Sequence, residues 1–290
     1  MRNIEKVFSP SAPHYVGDGF RVHNFIPNGY PSLQKRMDPF VMMDYNARFE
    51  FSPSKRLRGV GAHPHSGFET VTIAYQGAVA HHDSAGNSGV IREGDVQWMT
   101  AGSGILHKEY HDEEFSKTGG PFQMVQLWVN LPARFKKVAP QYQALVSEKM
   151  GRYRLPGNNG VVEVIAGNYE GVEGQGSTFT PVHLFNARLV KEVTVPFSFP
   201  KHYNTAFLVI EGAVKVNDDS VVGKDHFVIF QNDGESFSVT ATEDALLLVM
   251  SGEPFNEPIV QHGPFVMNSQ EEVHAAIRDF NLGKYGYLED

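Results

Sequence analysis

The sequence predicts an all-β protein of two similar domains with one helix near its end, and three observations carry that expectation. Apolar residues alternate with polar ones, or run in short stretches, between turns rich in Gly, Pro, Asn and Asp. Helical spacing is almost absent until Ser269. A short motif also recurs: Tyr75-Gln76-Gly77-Ala78-Val79 matches Ile210-Glu211-Gly212-Ala213-Val214, with Gly212 standing 135 residues after Gly77. That offset is about the length of one small domain. Each copy precedes an Asp-Ser pair, Asp83-Ser84 and Asp219-Ser220.

In chain order the expected strands are Val71–Val79, Gly89–Met99, Phe122–Leu131, Val161–Ala166, His183–Val190, Thr205–Val216, His226–Phe230, Ser236–Thr240 and Ala245–Met250. In Phe122–Leu131, Val125, Leu127, Val129 and Leu131 alternate with Gln126, Trp128 and Asn130, the pattern of a strand with one buried face. Many short strands with turn signals between them indicate a sandwich or barrel. The domain boundary falls where Pro132, Pro140, Pro156 and Asn158-Asn159-Gly160 cluster. Ser269-Gln270-Glu271-Glu272 is a capping box, followed by Val273, Ala276, Ile277 and Phe280 on one helical face and by Gly283 as a stop.

Composition narrows the chemistry. Across 290 residues, 25 Lys and Arg against 33 Asp and Glu give a net charge of −8, which argues against a phosphate-neutralising surface and so against direct nucleic-acid binding. Cysteine is absent, which removes disulfides, iron–sulfur clusters, thiolate zinc sites and cysteine nucleophiles. Any metal must rest on His, Asp or Glu. The first residues lack the apolar stretch of a signal peptide, and the longest purely apolar run, Ala245 to Met250, is far below a membrane span, so a cytoplasmic protein without membrane contact is expected, nuclear as well if the source is eukaryotic. Lys55-Arg56-Leu57-Arg58 reads as a solvated loop.

Of 13 histidines, His63, His65, His81, His82, His107 and His111 crowd into one short window. In an extended segment side chains repeat every second residue, so His63-Pro64-His65 sends two imidazoles to one face, and the same rule pairs His107 with Glu109. Pro64 stiffens the first pair. If the two pairs lie on adjacent inward-facing strands, three imidazoles and one carboxylate converge on a metal. Such a set suits Fe(II), Mn, Co, Ni, Cu or Zn. Four protein ligands leave two places open on an octahedral ion, as oxygen chemistry needs, which favours Fe(II). His81, His82 and His111 are weaker candidates. Glu69 shares parity with His63 and His65 only if Gly67 leaves the strand unbroken. Gln97 is a candidate for orienting a ligand.

The stretches His63 to Thr72, His82-Asp83-Ser84 with Gly86-Asn87, Gly94 to Gly102, Gly104 to Glu109, and Gly252-Glu253-Pro254 through Asn268 together resemble the pirin family of the cupin superfamily. The resemblance spans both halves of the chain. It implies a bicupin, two cupin-type β-barrel or jelly-roll domains, divided as residues 1–140 with the metal site, 141–268 without metal ligands, and 269–290 as helix and tail. It also implies that His63, His65, His107 and Glu109 hold one metal, generally iron. Ser66 stands where the family often carries a basic residue, which leaves the charge at the pocket mouth open. Superposing Gly212 on Gly77 sets Ser198 and Pro200 against His63 and His65, and Thr242 and Asp244 against His107 and Glu109, so the second domain has no ligand set.

Two functions follow from the resemblance. The first is a dioxygenase of quercetin 2,3-dioxygenase type, opening the central ring of a flavonol with release of carbon monoxide. Glu109 there is a ligand or the base, Glu69 a lesser candidate base, and Phe68, Trp98 and Met99 the wall for a flat aromatic substrate. The second is a non-enzymatic, iron-dependent and redox-sensitive regulator acting through a protein partner. A zinc-dependent cupin acting on a sugar phosphate is a third, weaker reading.

Overall fold

Glycine turns cut the chain into short antiparallel strands, and the computed structural model describes residues 1–289. Contacts group it into two units. One comprises Ala12–Lys35, Phe40–Ser147 and the segment from Phe255 onward; the other comprises Met1–Ser11, Arg36–Pro39 and Glu148–Pro254. Against the linear division 1–140, 141–268 and 269–290, the units are interleaved, each taking in one end of the chain.

The first unit is a barrel of two facing antiparallel sheets. Seven strands run in the order Gln141–Leu145, Val96–Thr100, Phe68–Gln76, Gly120–Asn130, Phe40–Phe51, Phe20–Ile26 and His14–Val16. Four form the other sheet, in the order Gly59–His65, Ile105–His111, Val79–Asp83 and Ser88–Ile91. Phe20, Val22, Ala74, Phe122 and Met124 from the first sheet pack with Val79 and Ile91 from the second. The expected Gly89–Met99 is two strands, because Arg92–Asp95 form a turn in which Arg92 N donates to Asp95 Oδ2 at 3.0 Å.

The second unit repeats this plan. Its larger sheet runs Ile4–Phe8, Phe227–Phe230, Asn204–Glu211, Ala245–Gly252, Val182–Leu189, Gly160–Ala166, Gly151–Arg154, and its smaller one Thr194–Ser198, Ser236–Ala241, Ala213–Val216, Ser220–Gly223. The recurring glycine marks the same bend in both copies. Gly77 and Gly212 have φ of 84° and 73°, and a Cβ on Gly212 would meet the Asp244 carbonyl oxygen at 2.1 Å.

The repeat is offset from the superposition on glycines. Thr194–Ser198 pairs with Ser236–Ala241 as Gly59–His65 pairs with Ile105–His111, which sets Phe197 opposite Phe237 where His63 stands opposite His107. Phe197, Phe199 and Phe237 are buried in the core, whereas Ser198 and Pro200 are exposed. At the register positions that His63 and His107 take in the first unit, the second unit thus carries buried phenylalanines.

The C-terminal helix Gln270–Asn281 forms as its sequence requires. Ser269 caps it, its hydroxyl accepting from Glu272 N at 3.2 Å, and Gly283 follows at φ 72°. Val273 and Ala276 bury against Phe265, Met267 and Tyr285 of the same unit. Among the described residues no helix is long and apolar enough to cross a membrane.

Candidate metal centre

Gly59–His65 is the edge strand of its sheet, so the N–H that Pro64 lacks costs no ladder bond. Alternation then places His63 and His65 on one face. Ile105–His111 pairs with it so that His107 lies directly opposite His63. The three rings converge, with centroids 4.8 Å apart for His63 and His65, 4.4 Å for His63 and His107, and 4.6 Å for His65 and His107. One ring nitrogen from each lies within 4.8 Å of the others.

The chemistry of these rings fits a metal. Burial holds all three imidazoles below the ordinary histidine range, which keeps them neutral and able to donate a lone pair. Both ring nitrogens of His107 are buried without a hydrogen-bond partner, a costly arrangement unless something coordinates one of them. The Gly61 carbonyl lies 2.8 Å from Nδ1 of His63, which fixes that ring and leaves Nε2 for coordination.

The loops carrying these residues are tied together. Ser66 Oγ donates to the Gly102 carbonyl at 2.9 Å and Gly67 N to the same oxygen at 2.8 Å, joining the turn after His65 to the turn before His107. Ser66 is fully buried, so it carries no part of the pocket mouth. Lys136, also buried, donates from Nζ to Gly67 O, Val266 O and Asn130 Oδ1 at 2.9, 2.9 and 2.7 Å. The C-terminal segment closes this layer, with Ser66 N donating to Pro264 O and Val266 N to Ser66 O.

Glu109 lies outside the tight group of histidine nitrogens but lines the same cavity. Its Oε1 accepts from Thr72 Oγ1 at 3.1 Å and its Oε2 from Gln126 Nε2 at 3.4 Å. Burial pushes its carboxyl up to about 7, against the pull of the Thr72 hydrogen bond.

Glu69 is placed elsewhere. The turn at Gly67, φ 91°, breaks the strand after His65, and Glu69 faces away from Thr72, its Oε1 accepting from Thr100 Oγ1 at 2.7 Å. Burial raises it to about 7 as well, but it does not line the cavity, so the expectation of a base there is corrected. His81 meets Tyr142 at 2.6 Å, His82 meets Tyr110 at 2.7 Å, and His111 meets the Gly19 carbonyl at 2.7 Å among phenylalanines; none joins the metal group. Gln97 is buried and bonds no ligand.

The cavity holds about 100 Å³ and is lined by Val16, Phe20, Val22, Met42, Asp44, Val60, His63, His65, Glu109, Met124, Gln126 and Trp128. Phe68 borders it through His65 and Trp128, stacking on the latter at 4.2 Å. Trp98 and Met99, expected on the wall, do not line it. Trp98 lies on the same face as Val71, opposite to Thr72. Trp128 replaces them, from the face of Gly120–Asn130 that the alternation marks as polar.

Two family models match the chain, Pirin over residues 19–129 and Pirin C-terminal cupin domain over residues 184–286. A Pseudomonas aeruginosa protein named "Putative quercetin 2,3-dioxygenase" is 43% identical over 98% of this chain and 99% of its own. Human pirin is 38% identical over 93% of this chain and 90% of its own. A crystal structure of quercetin 2,3-dioxygenase from Acinetobacter baumannii, 44% identical, superposes with a TM-score of 0.94 over 100% of both chains.

Proposed function

The chain belongs to the pirin family, and on that premise we propose that it is an iron-binding bicupin acting as a dioxygenase of quercetin 2,3-dioxygenase type. The observation that carries this reading is the meeting of three neutral imidazoles, His65 and His107 buried and His63 partly so, in a largely apolar cavity beside one carboxyl group. His63, His65 and His107 hold the ion, with Glu109 as fourth ligand or as base. Iron there would supply Lewis acidity toward a substrate oxygen and redox chemistry with dioxygen.

The chain's own groups supply the rest. Glu109, poised near neutrality, takes the proton of the flavonol hydroxyl, and Thr72 and Gln126 hold its carboxylate oxygens while it does so. Trp128 offers a flat face to an aromatic ring. Met42, Val22, Val60 and Met124 exclude water. One dioxygen is consumed: the two carbon–carbon bonds of the central ring that flank the hydroxyl-bearing carbon break, that carbon leaves with its own oxygen as carbon monoxide, and the two atoms of dioxygen stay in the opened product as ester and carboxylate oxygens.

One observation favours the second reading, an iron-dependent regulator acting through a protein partner. The cavity is smaller than the roughly 300 Å³ at which small-molecule pockets usually begin. A flavonol therefore enters only if the mouth yields, and the unbranched Met42 and Met124 are the side chains able to move.

The test is to load the protein with Fe(II) without oxygen, add quercetin and then oxygen, and follow substrate absorbance together with carbon monoxide. Turnover lost in His63→Ala supports the dioxygenase. Turnover no greater than in that variant leaves the regulator.

A further inference from the structure

Register places a row of polar side chains across the larger sheet of the first barrel. Asn24 lies opposite Asp44, Asp44 opposite Gln126, Gln126 opposite Thr72, and Thr72 opposite Gln97. Residues directly opposed in antiparallel strands share a face. This row therefore crosses the face that carries Val22, Met42, Met124 and Trp128 and looks into the metal cavity.

The members are not equally engaged. Gln126 Nε2 donates to Glu109 Oε2, and the single hydroxyl hydrogen of Thr72 faces two acceptors, Gln126 Oε1 at 2.6 Å and Glu109 Oε1 at 3.1 Å. Asp44 accepts from Asn24 Nδ2 at 2.8 Å, and Asn24 is itself held by the turn that follows, donating to Ile26 O and accepting from Asn28 N, both at 2.8 Å. A carboxylate has room for about four hydrogen bonds. Asp44 thus lines the cavity with acceptor capacity to spare, its Oδ1 held by Asn24. Burial raises its carboxyl, with Asn24 and the His14 charge pulling the other way.

Distance matches this to one end of a flat molecule. Strands lie about 4.8 Å apart, so across the sheet Asp44 stands about 5 Å from Gln126 and about 10 Å from Thr72, the two side chains that contact Glu109, a span that a hydroxylated aromatic ring system covers.

Resting on the reading of this cavity as a site for a hydroxylated aromatic, we propose that Asp44 is a specificity-determining residue. Its carboxylate accepts a hydrogen bond from a substrate hydroxyl remote from the metal-facing one. Neutral donors are selected at that end, and anionic substituents are rejected by charge.

The experiment measures binding without oxygen, so it does not depend on turnover. Fe(II)-loaded wild-type protein is titrated with quercetin and with unsubstituted flavonol, which lacks quercetin's further hydroxyls, following the fluorescence of Trp128 and Trp98. Quercetin should bind about tenfold more tightly or better, about 1.4 kcal/mol. Asp44→Ala should remove the preference by weakening quercetin alone. Asp44→Asn, which keeps an acceptor oxygen and the cavity's shape, should retain part of it and serves if the alanine variant fails to fold. A preference unchanged in the variants, equal weakening of both compounds, or no preference in the wild type would overturn the proposal. Discrimination through Asp44 without ring opening would defeat the dioxygenase and leave this inference standing. Ring opening with discrimination indifferent to Asp44 would do the reverse.

Discussion

At the scale of single residues, the most exposed to test is Lys136. Its buried ammonium satisfies three acceptors, two of them backbone oxygens at the turn after His65 and in the C-terminal segment. Lys136→Met removes the donors and strands those oxygens, at a cost of about 3 kcal/mol or more. Thermal unfolding of the metal-free protein should show a clear drop, and equilibrium dialysis against Fe(II) a weaker affinity. A variant as stable and as tightly loaded as wild type would show that the clamp is idle. Gln97→Ala should leave metal affinity unchanged, since Gln97 bonds none of the ligands.

Residue identity also marks what the sequence makes legible. His63, His65 and His107 can be read because alternation on a strand and a local excess of one rare side chain are both visible in one dimension. Glu69 misleads because a single left-handed glycine resets the parity. Asp44 and Asn24 escape because their meaning is a register across strands remote in sequence, and no periodicity within one strand encodes it.

At the scale of elements, strands buried on both faces lose their signature. Phe40–Phe51, the longest strand, reads FVMMDYNARFEF and mixes polar residues for the cavity with apolar ones for the other face, so alternation fails. Gly120–Asn130 alternates clearly, yet the face with Gln126 and Trp128 looks into the cavity rather than to solvent. The helix Gln270–Asn281 is the opposite case, since caps and stripe are local. Ser269→Ala should cost about 1 kcal/mol in chemical denaturation and leave metal content unchanged. Loss of metal in that variant would mean that the helix supports the centre more directly than its packing implies.

At the scale of the whole molecule, the duplication sets stoichiometry. With Phe197, Phe199 and Phe237 in the second barrel, metal analysis of carefully loaded protein should give one tightly bound ion per chain. Acid sensitivity follows from the buried histidines. Burial holds His81 down to about 4, and His63, His65, His107, His111 and His183 below their ordinary range. Free imidazoles titrate near about 6.5, so below that pH the unfolded chain binds more protons than the folded one and stability falls as pH falls. For His81 the loss ends near 4, where both states are protonated. Glu69 and Glu109, raised to about 7, take up protons in the folded state first and oppose this trend, but the six histidines outnumber them, so urea midpoints of chelator-treated protein should decline between about pH 7 and pH 5, less steeply in His81→Gln.

The interleaved ends bear on how the molecule is made. Residues from Phe255 onward brace the turn beside His65, yet they leave the ribosome after every histidine of the centre has emerged. At about 5–20 residues per second, the nascent first barrel waits several seconds for its final brace. Firm ion capture thus waits for the segment from Phe255 onward, and a message truncated after the codon for Pro254 should yield chains carrying every donor and retaining little metal.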